Sequence, residues 1–185
     1  GGASLLKSPD RVFKIVSEVR KSVPQNIPVT AKMRLGFDDP AAAYENAQAI
    51  NDAGAEWVTI HCRTKTDGYR PPAYWEWIPK IKEKVKIPIV ANGEIWTLSD
   101  FLRCQKTCQT ERTMIGRGLV ANPHLALEIK AHHQKLDSPR ARWPLISGLL
   151  PRFFDACTQD KSVFFAQART KQWLKALSLR HEEAK

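Results

Sequence analysis

The sequence predicts an α/β fold in which a parallel sheet precedes a helical tail. Four short runs rich in aliphatic and β-branched residues alternate with amphipathic stretches of helical spacing, and parallel strands are normally connected through such helices. No strand-like run follows Pro123, and Pro139 and Pro144 mark a linker before two further helical stretches. These observations predict a sheet domain over residues 1–137 and a small helical domain over residues 138–185.

Local start and stop signals justify the elements in turn. Ser8, Pro9 and Asp10 open the first helix, because these residue types are typical of helix starts, and Pro24 ends it. Gly36 ends the first strand, and Gly54 caps the second helix. The four predicted strands cover residues 27–35, 57–60, 87–91 and 113–115. The predicted helices lie between residues 8 and 24, 39 and 54, 75 and 85, 98 and 106, 145 and 157, and 163 and 179.

Composition excludes several classes of protein. Hydrophobic residues make up 43% of the 185 residues and charged residues 26%, which is typical of a globular chain and not of a disordered or collagen-like one. No apolar run reaches the roughly 18 residues that a membrane span needs. The four cysteines lack the spacing typical of zinc sites or disulfide scaffolds, which predicts a protein of the reducing cytoplasm without a bound metal.

The chain is strongly basic, and much of its positive charge lies in the tail. Its 29 Lys and Arg residues against 19 Asp and Glu residues give a net charge of +10. Such an excess favours a polyanionic partner, because binding releases that partner's counterions. Between residues 138 and 180, eight basic residues against Asp155 and Asp160 give a net charge of +6. The eight are Arg140, Arg142, Arg152, Lys161, Arg169, Lys171, Lys175 and Arg180.

Polar and charged residues stand at the carboxyl end of every predicted strand, which is the edge where α/β barrels place their chemistry. Lys32 and Arg34 are two residues apart and therefore point to the same face of the first strand. Two cations on one face favour an anionic ligand, and a solvated strand end is the alternative. The other three strands lead into HCRT at 61–64, NGE at 92–94 and GRG at 116–118.

These segments contain residue types that bind anions and cofactors. Gly93 permits close approach of the backbone to a ligand. The glycines on either side of Arg117 suit an anion held by backbone N–H groups and a guanidinium. A lone histidine such as His61 is more often structural than catalytic. The recurrence of polar segments at four successive strand ends favours a ligand site.

Four segments together resemble the tRNA-dihydrouridine synthases, and the bacterial C-type members of that family most closely. They are AKMRLGF at 31–37, IHCRTK at 60–65, IVANGEI at 89–95 and MIGRG at 114–118, with NGEIW at 92–96 and ARTKQWL at 168–174 supporting the C-type likeness. The resemblance implies a (β/α)8 TIM barrel that binds flavin mononucleotide and reduces the C5=C6 bond of a tRNA uridine. It also implies NADPH as the electron donor and, for the C-type members, a D-loop target at uridine 16.

The same resemblance implies roles for individual residues. Lys32 is expected at the flavin ring, where a cation stabilises the reduced, anionic form. The residues implied in flavin binding are Lys32, His61, Asn92, Gly93, Glu94, Gly116 and Arg117. The residues implied in tRNA binding are Arg34, Tyr69, Arg169, Lys171 and Ala176. The expected partner is therefore tRNA, without a membrane or a metal, and a complete family member is expected to be a monomer.

One departure from the family pattern concerns catalysis. Family members begin with four further strands that carry a catalytic cysteine in an Asn-x-Gly-Cys-Pro motif, and this chain does not contain that motif. The resemblance therefore implies strands five to eight of the barrel, the C-terminal half, in residues 1–137 and a tRNA-binding helical domain in residues 138–185. No catalytic residue is assigned. Cys62 replaces a family glycine and is not expected to act as the acid, because nothing places it opposite the other flavin face.

Three hypotheses remain open from the sequence. In the first, the chain is the C-terminal part of a flavin-dependent tRNA-uridine reductase and is active only together with the missing half. In the second, it is a truncated, non-catalytic tRNA-binding protein. In the third, it is an unrelated phosphate-binding half-barrel that acts on a small molecule. Steeply salt-dependent tRNA binding would separate the first two from the third.

Overall fold

The computed structural model describes residues 1–137, 143–159 and 161–185. The chain divides into two compact units, one of residues 1–95 and 99–114 and one of residues 96–98 and 115–185. The predicted domain boundary before residue 138 adjoins residues 138–142, which lie outside the described part. That boundary stays a prediction.

The first unit contains one sheet of four parallel strands in the order β1-β2-β3-β4. The strands are β1 (Thr30–Arg34), β2 (Trp57–His61), β3 (Ile89–Asn92) and β4 (Thr113–Met114). Each strand pairs with the next one along the chain. The predicted α/β fold with a four-stranded parallel sheet is therefore confirmed.

Helices separate the strands of the first unit, as the sequence predicts. They are α1 (Pro9–Ser22), α2 (Ala42–Asp52), α3 (Trp77–Lys82) and α4 (Leu98–Cys108), and a 3-10 segment (Gly2–Lys7) precedes them. The predicted start of α3 at Trp75 is wrong. Pro79 has no N–H to donate to the Trp75 carbonyl, so a regular α-helix begins only two residues later. Gly54, just past α2, has the predicted left-handed conformation, with φ +83°.

The sheet has one apolar face and one polar face. Met33, Ile60 and Ala91 are partners in the strand register and are buried, and α2 and α3 contact β2 and β3. Side chains alternate along a strand, so Lys32 and Arg34 point away from that apolar layer. Lys32 is exposed and Arg34 is half-buried.

The described part of the second unit is helical. Its helices are α5 (Arg117–Ala121), α6 (Leu125–Gln134), α7 (Trp143–Ser147), α8 (Leu149–Gln159) and α9 (Val163–Leu177), followed by a 3-10 turn (Glu182–Ala184). The sequence patterns predict one helix over residues 145–157, but the structure has two, with Gly148 between them. Pro151 cannot donate to the Ser147 carbonyl, which interrupts the hydrogen-bond ladder there. Helix α6 is not predicted, because its apolar residues alternate instead of following helical spacing.

Helices α8 and α9 pack through aromatic side chains, with the centres of the Phe153 and Trp173 rings 4.8 Å apart and the ring planes inclined at 62°. Ser162 caps α9 by accepting a hydrogen bond from the Phe165 N–H at 3.2 Å. Across the described ranges of the chain, none of the helices combines the length and the apolar character that crossing a membrane requires.

Candidate functional site

The strand register brings the predicted polar strand ends together in the first unit. Arg34 of β1 is the direct partner of His61 of β2, and His61 is the partner of Asn92 of β3. Asn92 continues the row, because its side-chain amide donates to the Met114 carbonyl of β4 at 2.7 Å. Three of the predicted site residues therefore occupy one row across the sheet.

Arg34 fastens the loop that follows β2. Its Nη1 donates to the carbonyls of Thr64 at 2.7 Å and Gly68 at 2.8 Å. Its guanidinium also lies over the ring of Tyr69, 5.3 Å from the centroid. Tyr69 itself is 63% exposed. The two residues predicted to face tRNA in this unit therefore contact each other, and the tyrosine is the more accessible of the pair.

Lys32 lies beside Arg34 on the polar face of the sheet. Desolvation and the Arg34 guanidinium lower the pKa of Lys32, and the phenol of Tyr69 opposes that shift. A lysine in this position is less stable as a cation than one in open water. An anionic partner would reverse the effect, so Lys32 favours binding of a negative group.

The buried side chain of Arg63 contacts several groups in this region, and the sequence patterns did not single it out. It is fully buried and forms an ion pair with Glu94. Its Nη1 lies 3.3 Å from His61 Nε2, and its Nε donates to the carbonyls of Arg70 at 2.6 Å and Pro72 at 3.0 Å. The only sequence signal for it is its place in the HCRT segment.

The turn after β3 requires glycine. Gly93 has φ +122°, and a Cβ atom there would lie 3.0 Å from His61 Cδ2 and 3.2 Å from Ala73 Cβ. Glu94 follows with φ +56°, and Trp75 Nε1 donates to the Gly93 carbonyl at 2.9 Å. The close approach of a ligand to Gly93 stays a prediction, and the groups beside Gly93 in the structure are the side chains of His61 and Ala73.

A carboxylate orders the start of the loop after β2. Asp67 Oδ2 accepts hydrogen bonds from the Thr64 N–H at 2.8 Å and the Thr64 hydroxyl at 2.7 Å. These hydrogen bonds lower the pKa of the Asp67 carboxyl. The ionised carboxylate therefore stabilises the loop that carries Tyr69.

Three of the four cysteines are buried in the first unit. Cys62, Cys104 and Cys108 are fully buried, and the Sγ atoms of Cys104 and Cys108 are 3.7 Å apart. A hydrogen bond with Cys104 lowers the pKa of Cys108, but a hydrogen bond with Cys62 and burial outweigh it and raise that pKa to about 12. The hydrogen bond with Cys108 and burial raise the pKa of Cys104. Thiols of this kind are unreactive. In the described residues no group of His, Cys, Asp and Glu could hold a metal.

The second unit contains a groove of about 700 Å³. Its lining includes Arg117, predicted for the flavin, together with Arg169 and Ala176, predicted for tRNA. The Arg117 guanidinium lies 5.0 Å from the centre of the Trp96 ring, and Trp173 Nε1 donates to the Val120 carbonyl at 3.0 Å. Arginines and tryptophans lining one groove suit a ligand that combines negative charge with planar rings.

Two further predicted residues of this unit lie outside that lining. Gly116 is exposed, and a Cβ atom there would meet nothing within 4 Å. Lys171 is exposed on α9. Three residues that count in the net charge of the tail lie outside the described residues: Arg140, Arg142 and Asp160.

Comparison with known proteins identifies the family. The family model described as "Dihydrouridine synthase (Dus)" matches residues 1–174. The chain belongs to the dihydrouridine synthase family. The resemblance noted from its strand-end segments is therefore confirmed. Within this dihydrouridine synthase chain, the matched residues include every strand of the first unit.

Curated relatives agree with the family model. The tRNA-dihydrouridine(16) synthase of Pseudomonas syringae pv. tomato is 48% identical over 184 residues, which cover 100% of this chain and 58% of the relative. The proteins of the same name from Shewanella oneidensis and Neisseria meningitidis serogroup B are 40% and 42% identical, covering 100% and 94% of this chain and 57% and 53% of the relatives. This dihydrouridine synthase chain thus spans somewhat more than half the length of these relatives.

Proposed function

We propose that this chain is part of a tRNA-dihydrouridine synthase, an oxidoreductase that reduces the C5=C6 bond of uridine 16 in the D loop of tRNA. The proposal includes flavin mononucleotide as cofactor, NADPH as electron donor, a cytoplasmic location and a monomeric complete protein. Its four strands would form half of a (β/α)8 barrel, and the helices after residue 138 would bind tRNA. The observation that carries it is the row of Arg34, His61 and Asn92 at one sheet edge in a chain of this family.

The residues of the first unit fit a flavin ring. Lys32 offers a cation whose pKa is lowered by partial desolvation of its ammonium group and by Arg34, so it gains from a negative neighbour. His61 and Asn92 offer polar groups at neighbouring strand ends, and Gly93 keeps the space beside His61 free of a Cβ atom. When bound, the flavin supplies the hydride for the uracil ring and receives it from NADPH. Lys32 would stabilise the negative charge of the reduced ring.

For the second unit we propose that Gly116 and Arg117 bind the flavin phosphate. The open space beside Gly116 leaves its backbone accessible to an oxyanion, and a guanidinium matches the geometry of a phosphate. The stacking of Arg117 on Trp96 limits the directions in which its N–H groups point. This arrangement supports a fixed anion contact at Arg117.

For tRNA we propose contacts through Arg169, Lys171 and Ala176 of α9 and through Arg34 and Tyr69 of the first unit. Arg169 and Lys171 are exposed cations that can pair with phosphates, which positions RNA without reading its sequence. Ala176 presents a small side chain in the groove wall. Tyr69 offers an exposed ring on which a base can stack.

The proton that C5 receives is proposed to come from the family cysteine of the Asn-x-Gly-Cys-Pro motif, which this chain does not contain. Of the thiols in the described residues, Cys62, Cys104 and Cys108 are buried. Hydrogen bonds among the three thiols and burial together raise the pKa of Cys104 and Cys108, and such thiols are poor proton donors and poor nucleophiles.

A chimera tests the proposed cofactor. The part of the Pseudomonas syringae relative that lies outside the match would be joined to this chain, and the purified protein would be examined for flavin absorbance and for tRNA-dependent consumption of NADPH. We expect flavin in a ratio near one per chain and oxidation of NADPH. A folded chimera that binds no flavin and leaves NADPH unchanged would refute the proposal.

A second function, tRNA binding without reduction, is favoured by one observation, the exposed cations Arg169 and Lys171 on α9. In that case the chain binds tRNA but reduces nothing. Its binding would fall steeply with salt, because each phosphate contact releases a counterion. A chimera that binds tRNA and flavin and forms dihydrouridine would exclude this alternative.

A further inference from the structure

The guanidinium of Arg63 faces an imidazole nitrogen inside the protein. Arg63 is fully buried, and its Nη1 lies 3.3 Å from Nε2 of His61, which is 6% exposed. An arginine side chain has five N–H donors and no acceptor. The contact is therefore a hydrogen bond only if His61 Nε2 carries a lone pair and no hydrogen.

The other contacts of Arg63 prevent the guanidinium from turning away. Nη2 is held by the carboxylate of Glu94, and Nε by the carbonyls of Arg70 and Pro72. The ion pair with Glu94 offsets the cost of burying the arginine charge. The planar fork of the guanidinium then fixes the direction in which Nη1 points.

His61 is held from the other side as well. A Cβ atom at Gly93 would lie 3.0 Å from His61 Cδ2 and 3.4 Å from Nε2, so the backbone of Gly93 packs against that edge of the ring. The Tyr69 ring lies 5.9 Å from the imidazole, inclined at 36°. Rotating the ring to exchange its two nitrogens would have to displace these neighbours.

We propose that Arg63 is a positioning residue that holds His61 as a neutral imidazole with its hydrogen on Nδ1. His61 then has one N–H group, on the ring edge away from Gly93, and a group beside it must be a hydrogen-bond acceptor. This consequence rests on the proposed function when the group is the flavin. His61 would meet an oxygen or an unprotonated nitrogen of the cofactor as a donor, and it would neither take up nor release a proton at Nε2.

Nitrogen NMR of the histidine side chains tests the proposal on the 185-residue chain without flavin or tRNA. The chain has five histidines, and the signals of His61 are identified as those lost in His61→Gln. We expect Nδ1 to give the signal of a protonated nitrogen and Nε2 that of a lone-pair nitrogen. A hydrogen on Nε2, or on both nitrogens, in neutral to mildly alkaline buffer would overturn the proposal.

Variants separate positioning from mere packing. In Arg63→Met, we expect the single tautomer to be lost and both neutral forms of His61 to be populated. Arg70→Gln alters an exposed arginine of the same loop and is the matched control, in which the His61 signals should not change. If a folded Arg63→Met chain keeps the Nδ1–H form unaltered, Arg63 does not set the tautomer and the proposal fails. Should Arg63→Met not fold, the wild-type spectrum alone decides.

The failure of this proposal and the failure of the proposed function are distinguishable. The tautomer is measured without cofactor, whereas flavin binding is measured separately in the chimera. A wild-type Nδ1–H signal in a protein that binds no flavin would support the positioning role and refute only the cofactor. A chimera that binds flavin while His61 carries its hydrogen on Nε2 would refute only the positioning role.

Discussion

The guanidinium of Arg34 lies 5.3 Å from the centre of the Tyr69 ring and donates hydrogen bonds to the carbonyls of Thr64 and Gly68. One strand residue therefore fixes both ends of the segment that leads to Tyr69. Since Tyr69 is an exposed residue proposed to meet tRNA, the shape of this loop depends on a side chain at the polar face of the sheet.

Arg34→Ala should destabilise the first unit. The substitution leaves two carbonyls without their charged donor, and the loss of such hydrogen bonds costs about 1–3 kcal/mol. Urea unfolding would measure the change. Arg70→Ala is the control, because Arg70 also donates to loop carbonyls, those of Thr66 and Asp67, but through exposed hydrogen bonds, so its loss should cost less than about 0.5 kcal/mol. Equal losses for the two variants would contradict the role proposed for Arg34.

Gly93→Ala should destabilise the chain more than Gly68→Ala. Both glycines have positive φ, +122° and +63°, but only a Cβ atom at Gly93 would meet neighbours, whereas one at Gly68 would meet nothing within 4 Å. Gly68→Ala should therefore cost about 1 kcal/mol for its backbone conformation alone, and Gly93→Ala about 1–3 kcal/mol more. Thermal or urea unfolding measures both, and a cost at Gly93 no greater than at Gly68 would show that the contact with His61 is not tight.

Asp67→Asn should change how stability depends on pH. Hydrogen bonds from Thr64 lower the pKa of Asp67 below its ordinary value of 3.8, so the carboxylate stabilises the fold above about pH 4, and this contribution is lost as pH falls through the folded-state pKa. The stability difference between wild type and Asp67→Asn should be constant from neutral pH to about pH 4 and shrink below it. Urea midpoints across that range measure it. A difference that grows in acid would contradict a stabilising role for the ionised carboxylate.

Lys32→Gln should lower flavin affinity without lowering the stability of the fold. Desolvation and Arg34 lower the pKa of Lys32, so its charge opposes folding at neutral pH, and the variant should be equally stable or slightly more stable. Flavin affinity of the chimera should fall about tenfold or more, because charged contacts of this kind contribute about 1.5–3 kcal/mol. Fluorescence titration and urea unfolding give the two values. Lys14→Gln, an exposed change in α1, is the control and should leave flavin affinity unaltered.

The double variant Arg169→Ala and Lys171→Ala should weaken binding to tRNAs of different nucleotide sequence to a similar extent. If both cations contact phosphates, the slope of log affinity against log salt should decrease by about two. Binding measured at several salt concentrations tests this, with Lys80→Ala and Lys84→Ala in the first unit as the charge-matched control. An identical slope for the two double variants would show that α9 makes no phosphate contact.

Local signals in the sequence were sufficient for most of the fold. Aliphatic runs identify the four strands, and Pro24 and Gly54 identify helix ends, because these residues act on their own neighbours. The late start of α3 at Trp77 and the interruption between α7 and α8 were missed. Pro79 and Pro151 cause them, but each proline removes the hydrogen bond to a carbonyl four residues earlier, away from its own position. Helix α6 was missed because its apolar residues alternate along the sequence and form no amphipathic helical pattern.

The candidate site was predictable only where the polar residue stood at a strand end. Parallel pairing brings such ends together, which is why Arg34, His61 and Asn92 could be placed at one edge. Arg63 was missed because its importance depends on Glu94, which lies 31 residues further along the chain. A buried ion pair of that kind leaves no periodic signal in the sequence.

The reaction product provides the strongest test of the proposed function. The chimera, expressed in cells that lack their own dihydrouridine synthases, would be followed by mass spectrometry of the purified tRNA. We expect dihydrouridine at position 16, and a marked loss of it in Lys32→Gln but not in Lys14→Gln. Unmodified uridine at position 16 in the presence of a folded, flavin-bound chimera would contradict the proposed function.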